Sequence, residues 1–173
     1  MLCPIYHTYD DNMKKISLVA IPMFAIVYGF SAWWYGDTQL LTRKSNELAR
    51  SLTLEAGDKK VTRISKNKNL SALLAKDLSC SIKLGDYQSH YNYSQLVEAH
   101  LHIGLTYKFC SVQISELNII SIANETANIL ADFIISTRNN DESENSKNVS
   151  ANLVWSKDEI GNWQIREIKL RSP

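Results

Sequence analysis

The chain has 173 residues, with 19 basic and 18 acidic side chains and 45% hydrophobic residues. A formal net charge of +1 gives no bulk field for a polyanion, so nucleic-acid binding is disfavoured, and three cysteines without C-x-x-C spacing are a poor metal set. No Gly-rich phosphate loop or Ser-His pair stands at a suitable spacing, so no cofactor is implied.

Residues 1–12 show no periodicity. Met13-Lys14-Lys15 then leads into Ile16–Tyr35 (ISLVAIPMFAIVYGFSAWWY), a run without a charged residue. A stretch of about 20 apolar residues crosses a bilayer as a helix. Lys14 and Lys15 flank one end, and Trp33, Trp34 and Tyr35 supply the rings expected at the opposite headgroup boundary. A charged segment ahead of an apolar one is how a bacterial export signal begins. The expected arrangement is therefore an upstream extension over 1–12, a transmembrane signal anchor over 13–36 and one soluble domain over 37–173. Gly29 and Ser31 have the spacing of a peptidase site, but the bulky rings beyond them and the full spanning length favour an uncleaved anchor. Arg43, Lys44 and Arg50 compete with Lys14 and Lys15 under the positive-inside rule, and the signal-like start decides for the N-terminus inside. On this reading the chain is a single-pass protein of a bacterial inner membrane with a periplasmic domain.

Thr38–Ala56 places Leu41, Leu48 and Leu52 near helical spacing, and Gly57 ends the helix as a C-terminal cap. Asp58–Lys68 carries Val61 and Ile64 on one face and basic residues elsewhere, which predicts a short amphipathic helix. Its Lys and Arg read first as solvated surface and second as a contact for anionic lipid beside the anchor. Asn69 caps a brief helical turn through Leu73 and Leu74, and Leu78–Leu84 alternates as a strand with Cys80, Ile82 and Leu84 on the face of Leu78. Gly85–Asn92 reads as a loop rich in turn formers and tyrosine.

From Tyr93 or Ser94 a helix follows with Leu96, Val97, Leu101 and Leu105 toward the core. Cys110–Ile122, Thr126–Thr137 and Val149–Ser156 are the richest strand segments, separated by a polar hairpin loop at Arg138–Lys147. Asp158–Asn162 is a tight turn whose Gly161 can take positive φ. In the closing strand, Trp163–Leu170, the apolar parity shifts, which predicts a β-bulge between Arg166 and Ile168. Cys80 and Cys110 are the thiols of the soluble part; a disulfide between them is open to an oxidising compartment, although cysteine is also a common small core residue.

Helices first, one short strand, another helix, then an antiparallel meander ending G-N-W-x-I-x-x-I-x-L at Gly161–Leu170, with an Ala-x-Ile-x-Ala strand at Ala127–Ala131, resembles the nuclear transport factor 2-like and SnoaL-like families over residues 38–170. The resemblance implies an α+β cone, helices packed on a curved antiparallel sheet, behind the transmembrane helix. Members of these families include isomerases and dehydratases with a base and a donor inside the cone, and membrane-anchored subunits of type IV secretion systems. Fold alone does not select among them.

The weak catalytic candidates are Asp132, His100 and Tyr87, with His102 and Tyr107 beside them. Asp132 has the opposite parity to Ala127, Ile129, Ala131 and Phe133, so it faces away if those line the cone. His100 and His102 look like an H-x-H pair, yet on a helix they project about 200° apart, and both read as surface histidines, with no metal implied. Tyr87, Tyr91, Tyr93 and Tyr107 are expected near the mouth of the cone. Leu130 and Ile134 are apolar on the opposite sheet face, which favours association. The first reading is therefore a membrane-anchored, non-enzymatic assembly subunit that binds a protein partner or a second copy. Its alternative is a cone that holds a small molecule, as a binding protein or as an isomerase or dehydratase. An aspartate or histidine pointing into a closed apolar cavity beside a tyrosine would favour the alternative, and an interior lined only by Leu, Ile, Val and Trp would remove the enzyme reading.

Overall fold

A computed structural model of the chain describes Gly29 and residues 36–106, 109–138 and 144–172. The expected extension, Lys14, Lys15 and the apolar run with Trp33, Trp34 and Tyr35 lie, but for Gly29, outside the described residues, as does Tyr107. Among the described residues no helix is long and apolar enough to cross a membrane. The chain divides into residues 1–40 and 41–173, and the fold is that of the second unit.

The first helix, α1 (Asp37–Leu52), buries Leu41, Ser45, Leu48 and Ala49, a stripe at the spacing of one helix face. It stops four residues before the expected end. The Thr53 hydroxyl donates to the Ala49 carbonyl at 3.0 Å and accepts from the Val112 N–H at 3.1 Å, and Leu54 and Cys110 exchange backbone hydrogen bonds of 2.6 and 2.9 Å. Leu54 thereby leaves the helix to lie against a strand.

The second helix, α2 (Lys60–Leu73), is one element where two were expected, and Asn69 sits inside it rather than capping it. Its buried residues are Asn67, Leu70 and Leu73, while Val61 and Ile64 are 77% and 54% exposed. Strand β1 (Leu74–Leu84) follows at once, and β2 (Tyr87–Asn92) forms a hairpin with it through a turn in which Gly85 has φ +61°. The expected tyrosine-rich loop is thus largely an edge strand.

Helix α3 (Tyr93–Thr106) starts where predicted because Asn92 and Gln95 cap it reciprocally: the Gln95 N–H donates to Asn92 Oδ1 at 3.0 Å and the Asn92 N–H donates to Gln95 Oε1 at 3.0 Å. Strands β3 (Phe109–Ala123), β4 (Thr126–Arg138), β5 (Glu144–Lys157) and β6 (Trp163–Arg171) complete a six-stranded sheet of order β2-β1-β6-β5-β4-β3. All neighbours are antiparallel except β1 and β6, so the sheet is mixed rather than antiparallel throughout. Strand β5 begins inside the segment expected to be loop.

Pairing skips Arg166 on β6, which places the predicted bulge there, and β3 carries two further irregularities, at Ile114–Glu116 and Ile119–Ser121. Such extra residues bend a strand and increase its twist, which gives the sheet its curvature. Helices α2 and α3 pack on each other and on β1. The inner face buries Ala127, Ile129, Ala131 and Phe133 of β4 and Val149, Ala151, Leu153 and Trp155 of β5, and Trp155 and Trp163 are wholly buried.

Candidate ligand cavity

Alternation puts every second side chain of each strand on the helix-facing side. The bulged sheet and the helices leave a cavity of about 240 Å³ between them. Leu153 of β5, Phe133 of β4, Val112 of β3 and Ile168 of β6 form its sheet wall, and Leu48 of α1, Leu70 of α2 and Leu96 of α3 face them. Half-exposed Ile103, with Leu52 and Leu170, marks the side nearest solvent.

His100 interrupts this apolar lining. It is 4% exposed, it borders the cavity, and neither Nδ1 nor Nε2 has a hydrogen-bond partner among the described residues. Burial pushes its imidazole below the ordinary histidine range; the Ser51 backbone draws it upward without meeting hydrogen-bond geometry, and the Lys66 ammonium adds to the depression. At neutral pH the ring is uncharged, with one N–H to donate and one lone pair to accept. The expectation that His100 is a surface residue is corrected: it lies four residues beyond Leu96 and three before Ile103, on the stripe that faces the cavity. His102 projects outward as expected, 3.7 Å from Glu98 across one helical turn.

The other sequence candidates lie elsewhere. Asp132 is on the outer face, where the Ser150 hydroxyl donates to its Oδ1 at 2.6 Å. Tyr87 is 53% exposed on edge strand β2, its hydroxyl 2.8 Å from that of Tyr91, and it does not line the cavity. Cys80 and Cys110 are buried free thiols in the cavity wall, so the disulfide considered from the sequence is not formed. Burial pushes Cys80 up to about 11 and moves Cys110 in the same direction. Among the described residues lining the cavity there is no carboxylate.

On the outer face Leu130 and Ile134 are 43% and 36% exposed, as the parity implied. Their cross-strand neighbours are Asn118 and Asn152, and Gln113 and Asn148. Leu130 and Ile134 thus stand beside polar cross-strand neighbours, and half-buried Val154 of β5 shares their face.

No family model and no curated protein sequence matches the chain. Its fold is similar to those of solved structures. A proposed scytalone dehydratase from Novosphingobium aromaticivorans is 15% identical, with 79% of this chain and 84% of that one covered at a TM-score of 0.64. A nuclear transport factor 2-like superfamily protein from Salmonella enterica serovar Typhimurium is 16% identical, covering 78% and 89% at 0.61. The association domain of C. elegans CaMKII is 10% identical, covering 82% and 99% at 0.58. The chain therefore has the nuclear transport factor 2-like fold, which is shared by proteins assigned to catalysis and proteins assigned to association.

Proposed function

We propose that the domain binds a small, mainly apolar molecule bearing one neutral hydrogen-bonding group, which lies in the cone cavity against His100. The observation that carries this reading is an imidazole 4% exposed, unpartnered at both nitrogens among the described residues, in an otherwise apolar wall. An unmet buried polar group destabilises a fold, and a ligand hydroxyl that meets it relieves that cost. An apolar cavity of about 150 Å³ takes benzene, so 240 Å³ suits a molecule of about ten non-hydrogen atoms. A carboxylate ligand is disfavoured, because its charge would be buried against a neutral ring. Acid–base turnover needs a second group, and binding accounts for the described wall without one.

The test is calorimetric titration of the parent and His100→Leu with phenol and with benzene. The parent should prefer phenol and the variant should lose that preference. Equal affinities for the two probes in the parent, or no binding of either, would refute the reading.

Two exposed apolar side chains, Leu130 and Ile134, favour a second reading in which the outer sheet face meets a protein partner or a second copy. Tethering to a bacterial inner membrane through residues 16–35, with the domain in the periplasm, belongs to the same proposal. It is supported by the length of that run, its lack of charge, and the flanking Lys14, Lys15, Trp33, Trp34 and Tyr35.

A further inference from the structure

Charge is not spread evenly over the chain. Residues 41–73 hold eight basic and three acidic side chains, whereas residues 74–172 hold nine basic and twelve acidic ones. Most of the positive charge lies in and around α2, which has no acidic residue of its own. Leu70 and Leu73 turn one face of this helix into the core, and Lys60, Val61, Ile64 and Lys68 fall on the opposite side. Arg50 of α1 adds to the basic surface across a shallow cleft shared with Lys66 and Asn69. Asp58 pairs with Lys66 at 2.6 Å and is also held low by Arg63, which leaves Lys60 and Lys68 outside this pairing.

Val61 at 77% and Ile64 at 54% exposure are the anomaly. Aliphatic side chains gain little from a phosphate backbone, and a second copy of this face would repel the first. A bilayer interface satisfies both halves of the pattern at once, because lysines meet anionic headgroups while the aliphatic chains enter the acyl boundary. We infer that the outward face of α2, centred on Val61 and Ile64 and flanked by Lys60 and Lys68, docks onto an anionic lipid surface. This docking site is independent of the cavity and does not require a cavity ligand.

The experiment places an environment-sensitive fluorophore at Val61→Cys or Ile64→Cys in the full chain, with Cys3→Ser as background, reconstituted with phosphatidylcholine vesicles with or without about 30% phosphatidylglycerol. Both labels should shift to the blue and lose access to iodide in the anionic vesicles only, and a label at Ile160→Cys should not change. Replacing Lys60 and Lys68 by Gln should reduce docking roughly 30-fold, about fivefold for each charge removed. Should a labelled variant misfold, lipid-dependent hydrogen-exchange protection of residues 60–68 in the parent chain reads the same contact. Equal iodide access in both vesicle types, or protection by an oligonucleotide and not by anionic lipid, would overturn the proposal.

Discussion

Replacing His100 by Leu should make the protein more stable. The imidazole is 4% exposed with both nitrogens unpartnered among the described residues, and leaving a buried donor or acceptor unmet costs about 1–3 kcal/mol. Leucine is of similar size, adds no polar atom and meets Leu96, Leu70 and Leu48 as wall neighbours, so a gain of about 1 kcal/mol at about pH 8 is a conservative expectation.

The gain should grow in acid. His100 is depressed below its ordinary value of 6.5 in the folded state, so as pH falls through 6.5 the unfolded chain takes up a proton that the folded chain refuses. The parent loses stability over that interval until the folded-state value is reached, and His100→Leu has no such limb. Urea denaturation of both proteins at about pH 8 and about pH 5.5 measures both effects, the difference between the proteins cancelling the contributions of other groups. A variant less stable than the parent at pH 8 would mean that the imidazole is hydrogen-bonded in solution. Parallel pH dependences would mean that its proton affinity is not depressed.

Two further outcomes follow from the positions of the remaining candidates. Asp132→Asn should leave affinity for a cavity probe such as phenol within about twofold, because its carboxylate accepts from Ser150 on the outer face; a tenfold loss would place it at the site. Cys80 and Cys110, buried and with Cys80 pushed up to about 11, should resist iodoacetamide at about pH 8 until urea unfolds the chain; modification of both within minutes in the native protein, read by peptide mass spectrometry, would contradict their burial.

What was legible in the sequence was what local chemistry fixes. The helix start at Tyr93, the parity break at Arg166 and the outward parity of Asp132 each depend on residues close in sequence. The expectations that failed depend on packing. Val61 and Ile64 looked like the core face of a helix, but Leu70 and Leu73 extend the same helix and bury more apolar surface from the other side. Tyr87–Asn92 reads as loop by composition and becomes a strand because β1 offers it an edge. His100 was hidden because Leu96, Val97, Leu101 and Leu105 occupy a broad arc of α3, and the arc alone does not say which side the sheet covers. The spacing from Leu96 to His100 to Ile103 was the available signal.

The two faces of the sheet differ in what they can gain from a partner. Outside, Leu130 and Ile134 have asparagines and a glutamine as cross-strand neighbours, so a partner covering them must also meet the hydrogen-bonding groups of those side chains. Inside, the wall is apolar, and among the described residues that line the cavity His100 is the one with unmet nitrogens. A molecule that fills the cavity and meets the imidazole adds apolar contacts and removes a penalty. Because such a molecule binds only the folded chain, its binding free energy adds to the stability of the fold. A buried imidazole beside a cavity of about 240 Å³ therefore makes the cavity a better place than the outer face for the ligand proposed above.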